Sequence, residues 1–163
     1  MVSTGAFCRN STISMAFFGS GRERRLQPVH AACVPFGFLE PNVSLIYSDL
    51  MTSSLGMESD ALDPKKHSEE GARWIRSGRS VGEFEAPAKT LNSILKKVNA
   101  PPQIDFFSLD IEGVELAVLK GVDHEVYGFT WLLAESRNQE KLNFYLTSLE
   151  YELAEQVSQH DYL

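Results

Sequence analysis

Apolar residues fall along this chain in short runs, and the period of the runs changes from one to the next. Residues 26–34, LQPVHAACV, and 43–50, VSLIYSDL, are rich in strand formers and read as strands. Pro35, Gly37 and Pro41 punctuate the link between them. From 56 to 82 no apolar period is sustained. That predicts a long polar surface insertion, with a short helix over 69–75 pinned by Trp74 and Ile75. Thr90 then fits an N-cap, and Leu91, Ile94, Leu95 and Val98 share one helical face. Lys96 and Lys97 suit the negative end of that helix, and Pro101 and Pro102 stop it.

The second half alternates more clearly. Residues 104–109 predict a strand, and 114–122 a helix with Val114, Val118 and Leu119 inward. Residues 129–134, FTWLLA, are almost continuously apolar, as in a central strand buried on both faces, with Trp131 in the core. A helix over 139–149 follows, with Leu142, Tyr145, Leu146 and Leu149 on one side. Residues 151–157 read as a last strand and 160–163 as a strand cut short. Strands that alternate with helices imply an α/β fold with a mostly parallel sheet and right-handed crossovers.

Composition narrows the functional classes. The 163 residues suffice for one domain with a real core. The net charge is −7 and the Lys and Arg residues are scattered, so no nucleic-acid footprint is expected. No apolar run approaches the roughly 20 residues of a membrane span. Cys8 and Cys33 form no CxxC pair, and His30, His67, His124 and His160 lack ligand spacing, so no metal is expected. Two buried free thiols fit a reducing compartment, with a single disulfide as the alternative. Residues 1–21 contain no acidic residue, which fits either an organelle-targeting segment or a short polar tail on a cytoplasmic protein. The absence of Gly-x-Ser-x-Gly, Walker and His-Glu-x-x-His motifs removes support for hydrolase and NTPase readings.

The chemistry concentrates near Asp110. In open α/β sheets ligands bind beyond the carboxyl ends of the strands. Asp110 is the first residue past the apolar part of its strand, with Glu112 on the same side and Ile111 turned back into the fold. Gly113 allows a tight turn or a close ligand approach. Glu112 and Glu115 lie near a helix start, where negative charge is favoured for purely structural reasons too.

The run Ile104-Asp105, Asp110-Ile111-Glu112-Gly113, Glu115 and Leu119-Lys120-Gly121 resembles FkbM-like S-adenosylmethionine methyltransferases. The helix from Thr90, the strand ending in Glu135 and the 22–34 segment are also similar to that family. The similarity covers 22–163 and leaves 1–21 unmatched. The resemblance implies a class I methyltransferase domain, here an incomplete Rossmann-like three-layer sandwich. It also implies S-adenosylmethionine as methyl donor and a small-molecule or glycan hydroxyl as acceptor. Asp110 and Glu112 would then face the reacting atoms, with Gly113, Glu115 and Glu135 on the substrate side.

The family's cofactor strand and its Gly-rich turn do not appear before residue 22. Gly19-Ser20-Gly21 is a lone GxG, and Pro28 arrives too soon for the helix that should follow. Glu40, in Glu40-Pro41-Asn42, resembles the family's ribose-binding acid. Two readings therefore stand: a methyltransferase in truncated or inactive form, or a non-catalytic Rossmann-like remnant that binds another protein. Either would leave a sheet edge exposed, which predicts self-association.

Overall fold

The computed structural model describes the backbone of residues 3–9, 12–18, 24–48, 51–60, 63–71, 75 and 80–163. The trailing Gly19-Ser20-Gly21 and Trp74 lie outside the described residues. Strands β1 (Ser3–Arg9), β2 (Thr12–Phe18) and β3 (Arg24–His30) come first. Then come β4 (Ala32–Val34), β5 (Asn42–Tyr47), β6 (Ser53–Ser54) and helix α1 (Pro64–Gly71). Strand β7 (Gly82–Thr90) leads into α2 (Leu91–Lys97), β8 (Gln103–Asp110) and α3 (Glu115–Leu119). Strand β9 (Gly128–Glu135), α4 (Gln139–Thr147) and β10 (Asp161–Tyr162) complete the order.

The strands form two sheets, β10-β9-β8-β1-β2-β3 and β4-β7-β5-β6. Both are mixed, which corrects the expectation of a mostly parallel sheet. Parallel pairing joins β1 to β8, β8 to β9 and β4 to β7. All other neighbours are antiparallel. The physical reason is link length. Only Asn10 and Ser11 separate β1 from β2, and a parallel return needs a crossover of a dozen or more residues.

The single strand expected over 26–34 breaks at Ala31, and its halves enter different sheets. Strand β4 is buried throughout, so its alternating side chains reach two cores. Ala31 and Cys33 join the larger core, while Ala32 and Val34 join a smaller one with Val43, Leu45 and Ala86. Cys33 is a buried free thiol. The larger core fills with Leu91, Ile94 and Leu95 of α2, Ile104, Phe107 and Leu109 of β8, and Val118 and Leu119 of α3. Phe107 stacks on Phe129 with ring centroids 4.7 Å apart, which fixes β8 against β9.

Strand β7 was not apparent from the sequence, although Phe84, Ala86 and Ala88 alternate with Glu83, Glu85, Pro87 and Lys89. Ala86 is fully buried between β4 and β5, and Pro87 sits where the β5 ladder ends, so its missing N–H is tolerated. The Thr90 side chain accepts from the Ser93 amide, as an N-cap should. The expected last strand over 151–157 is absent, and Gln156 makes only an isolated bridge to Tyr162. Strand β9 is not buried on both faces: Trp131 is 50% exposed. Strand β10 pairs with β9 only at Ala134 and Glu135, so among the described residues no strand borders the earlier part of that edge. Among the described residues no helix is long and apolar enough to cross a membrane.

Candidate functional site

The parallel register of β8 and β9 sets the site. Leu109 lies opposite Ala134, so Asp110 and Glu135 finish their strands side by side. The chain then turns sharply through Glu112 (φ 58°) and Gly113 (φ 101°). A left-handed backbone suits glycine but costs a β-carbon-bearing residue such as Glu112 about 1 kcal/mol. That turn brings Glu112 back over the strand ends. Asp110, Glu112 and Glu135 each place a carboxylate oxygen within 4.8 Å of the others.

Three carboxylates this close repel one another, and the structure relieves the repulsion in two ways. The first is a proton. Burial, a hydrogen bond with Asp110 and the charges of Glu112, Asp110 and Glu115 push the Glu135 carboxyl up to about 8. The Asp110–Glu135 pair therefore favours holding a proton between its carboxyls, which lowers the charge of the cluster. The second is a set of donors. His67 Nε2 lies 2.6 Å from Glu112 Oε2. Arg137 Nη2 lies 3.5 Å from Glu112 Oε2 and 4.0 Å from Glu135 Oε1. Such a carboxylate trio has spacing that a cation could bridge, a property the sequence spacing did not suggest. Here Arg137 supplies positive charge at that point.

Gly113 and Glu115 shape the turn. Glu115 is buried, and its Oε1 accepts from the amides of Ile111 at 2.8 Å and Gly113 at 3.3 Å. Burial raises its carboxyl to about 7, those amides pull it partly back, and Asp60 pushes it up again. The Gly113 carbonyl accepts from the Asp60 amide at 2.8 Å. Glu40 stands apart. It is exposed in the link before β5, which is anchored by Phe36 N to Lys120 O at the far end of α3 from Glu112.

Sequence reasoning missed Asp60, His67, Ser136 and Arg137. Asp63 caps α1 by accepting from the amides of Lys65 and Lys66, so the helix starts earlier than its apolar content suggests. Ser48 Oγ donates to Ser68 O at 2.5 Å and docks α1 beside the end of β5. His67, which read as part of a solvated Lys-Lys-His loop, is thereby buried. Ser136 and Arg137 immediately follow Glu135, and their place beyond a strand end was the one available signal. Asp60 Oδ2 accepts from Ser136 Oγ, Arg137 N and Asn138 N at 2.9–3.1 Å, and so holds that loop.

A nucleoside cofactor such as S-adenosylmethionine needs a strand that opens through a small-residue turn into a helix. Strand β1 is the parallel neighbour of β8, but the next strand, β2, begins three residues after β1 ends and pairs antiparallel to it. The described residues therefore do not present the strand, turn and helix that the nucleoside of that cofactor needs. A cavity of about 560 Å³ lies elsewhere, between α4, the 149–154 segment and β9, and is lined by none of the three carboxylates. The methyltransferase FkbM domain model matches residues 42–153, which span the whole carboxylate cluster, His67 and Arg137. No curated protein and no solved structure matches the chain.

Proposed function

The chain belongs to the FkbM methyltransferase family, and on that premise we propose that its strand-end carboxylates form the acceptor side of an S-adenosylmethionine-dependent O-methyltransferase site. The observation that carries this reading is the grouping of Asp110, Glu112 and Glu135 at the ends of β8 and β9. The acceptor is a hydroxyl of a small molecule or glycan. Its oxygen must be oriented and must lose a proton as it gains a methyl group. Asp110 takes that proton. Glu135, whose carboxyl is raised toward its protonated form, keeps the neighbouring charge down while it does so. Glu112 accepts a hydrogen bond from the acceptor and fixes its orientation. The cofactor supplies an electrophilic methyl group, and the described residues of this chain do not supply its cradle.

The β1–β2 hairpin in the place of a cofactor turn favours a second reading, a non-catalytic relative that works by binding protein. Methyl-labelled S-adenosylmethionine, offered with a panel of sugars and polyols, separates the two. The enzymatic reading expects weak cofactor binding by calorimetry but measurable ether-linked label. It also expects Asp110→Asn to reduce transfer by about a hundredfold or more with the melting temperature held. No bound cofactor and no label would leave the binding role in possession.

A further inference from the structure

The donors around Glu112 have a fixed direction. Arg137 Nη1 lies 3.2 Å from His67 Nδ1. A guanidinium has only N–H groups to offer, so Nδ1 must present its lone pair. The ring's proton then sits on Nε2 and is donated to Glu112 Oε2 at 2.6 Å. The three side chains come from three separate places: His67 from α1, Glu112 from the turn after β8, and Arg137 from the loop after β9. His67 is 8% exposed, so water competes little for these bonds. Glu112 Oε2 is committed to these two donors, which leaves Oε1 as the carboxylate's second acceptor atom.

We propose that His67 is a positioning residue of the site. It holds Glu112 in its left-handed turn, with Arg137 locking the ring from behind, so that Oε1 stands ready to accept a hydrogen bond from the ligand. The ligand's identity as a methyl acceptor rests on the function proposed above. The relay itself does not. It is a property of the resting chain.

The test has two arms. In the first, the whole chain carries ¹⁵N-labelled histidine, and long-range proton–nitrogen spectra report the tautomer of each ring, with His67→Gln assigning the His67 signals. The expected result is a neutral Nε2–H ring whose bonded proton shifts in Glu112→Gln. An Nδ1–H ring, or one averaging between tautomers, would overturn the proposal. The second arm measures methyl transfer. His67→Leu fills the same space without a donor or acceptor, and should lower kcat by about ten- to a hundredfold with the acceptor KM little changed. His67→Gln can donate to Glu112 and accept from Arg137, and should recover most of that loss. Wild-type turnover in His67→Leu would also overturn the proposal. If the unmodified chain transfers no methyl group, the proposed function fails, and the tautomer arm alone decides the role of His67.

Discussion

The amide of Asp60 donates to the carbonyl of Gly113 at 2.8 Å, and this bond ties the segment after β6 to the turn that carries Glu112. The same residue holds the other half of the site, because its Oδ2 gathers Ser136 Oγ and the amides of Arg137 and Asn138. Glu58 adds ion pairs to Lys120 and Lys141, but they are exposed and worth little. Asp60, like His67, is therefore a residue through which the polar stretch braces both strand ends.

Asp60→Ala should destabilise the fold by about 2–3 kcal/mol, because it removes a charged acceptor and strands several donors. Asp60→Asn keeps an oxygen for them and should cost less than half as much. Urea denaturation of the two variants measures the difference. Equal losses would mean that the carboxylate's hydrogen bonds do not hold the loop.

Glu115 predicts a pH dependence. Its folded-state value, about 7, lies above the ordinary 4.5. Between those values the folded chain binds more protons than the unfolded chain, so stability falls as pH rises. Glu135, raised in the same direction, adds to that slope. Glu115→Gln resembles the protonated form, accepts from the same amides and does not titrate. Its stability relative to wild type should improve by about 2 kcal/mol between pH 5 and pH 8. Thermal melts across that range check it, and parallel curves for the two proteins would refute it.

Gly121 predicts a steric effect. A β-carbon there would lie 2.3 Å from the backbone oxygen of Val34, where the end of α3 crosses the end of β4. Neither backbone can yield without shifting the other. Gly121→Ala should destabilise by about 2 kcal/mol or more. Gly82, at the exposed start of β7, has open space around the same position. Gly82→Ala should leave the denaturation midpoint nearly unchanged. A reversal of these two results would contradict the close packing of α3 on β4.

Much of this was written in the residue pattern. Helices α2 and α4 announce themselves because Leu91, Ile94 and Leu95, or Leu142 and Tyr145, recur at helical spacing. Strands β8 and β9 do so as apolar runs, and each ends in an acid whose position at the strand end follows from local sequence. Asp110, Glu112 and Glu135 could therefore be named in advance, and the family with them. Strand direction could not, because the pairing of β1 with β8 and the break at Ala31 depend on contacts between segments far apart in the chain. Nor could the groups that condition the carboxylates. Asp60 and His67 sit in a stretch without apolar period, and only the docking of α1 through Ser48 and Ser68 carries His67 to Glu112. Local pattern fixes which face of an element is apolar. The raised carboxyl of Glu135, the ring orientation of His67 and the reach of Arg137 arise from burial and charge shared by residues remote in sequence, and those exist only once the chain is folded.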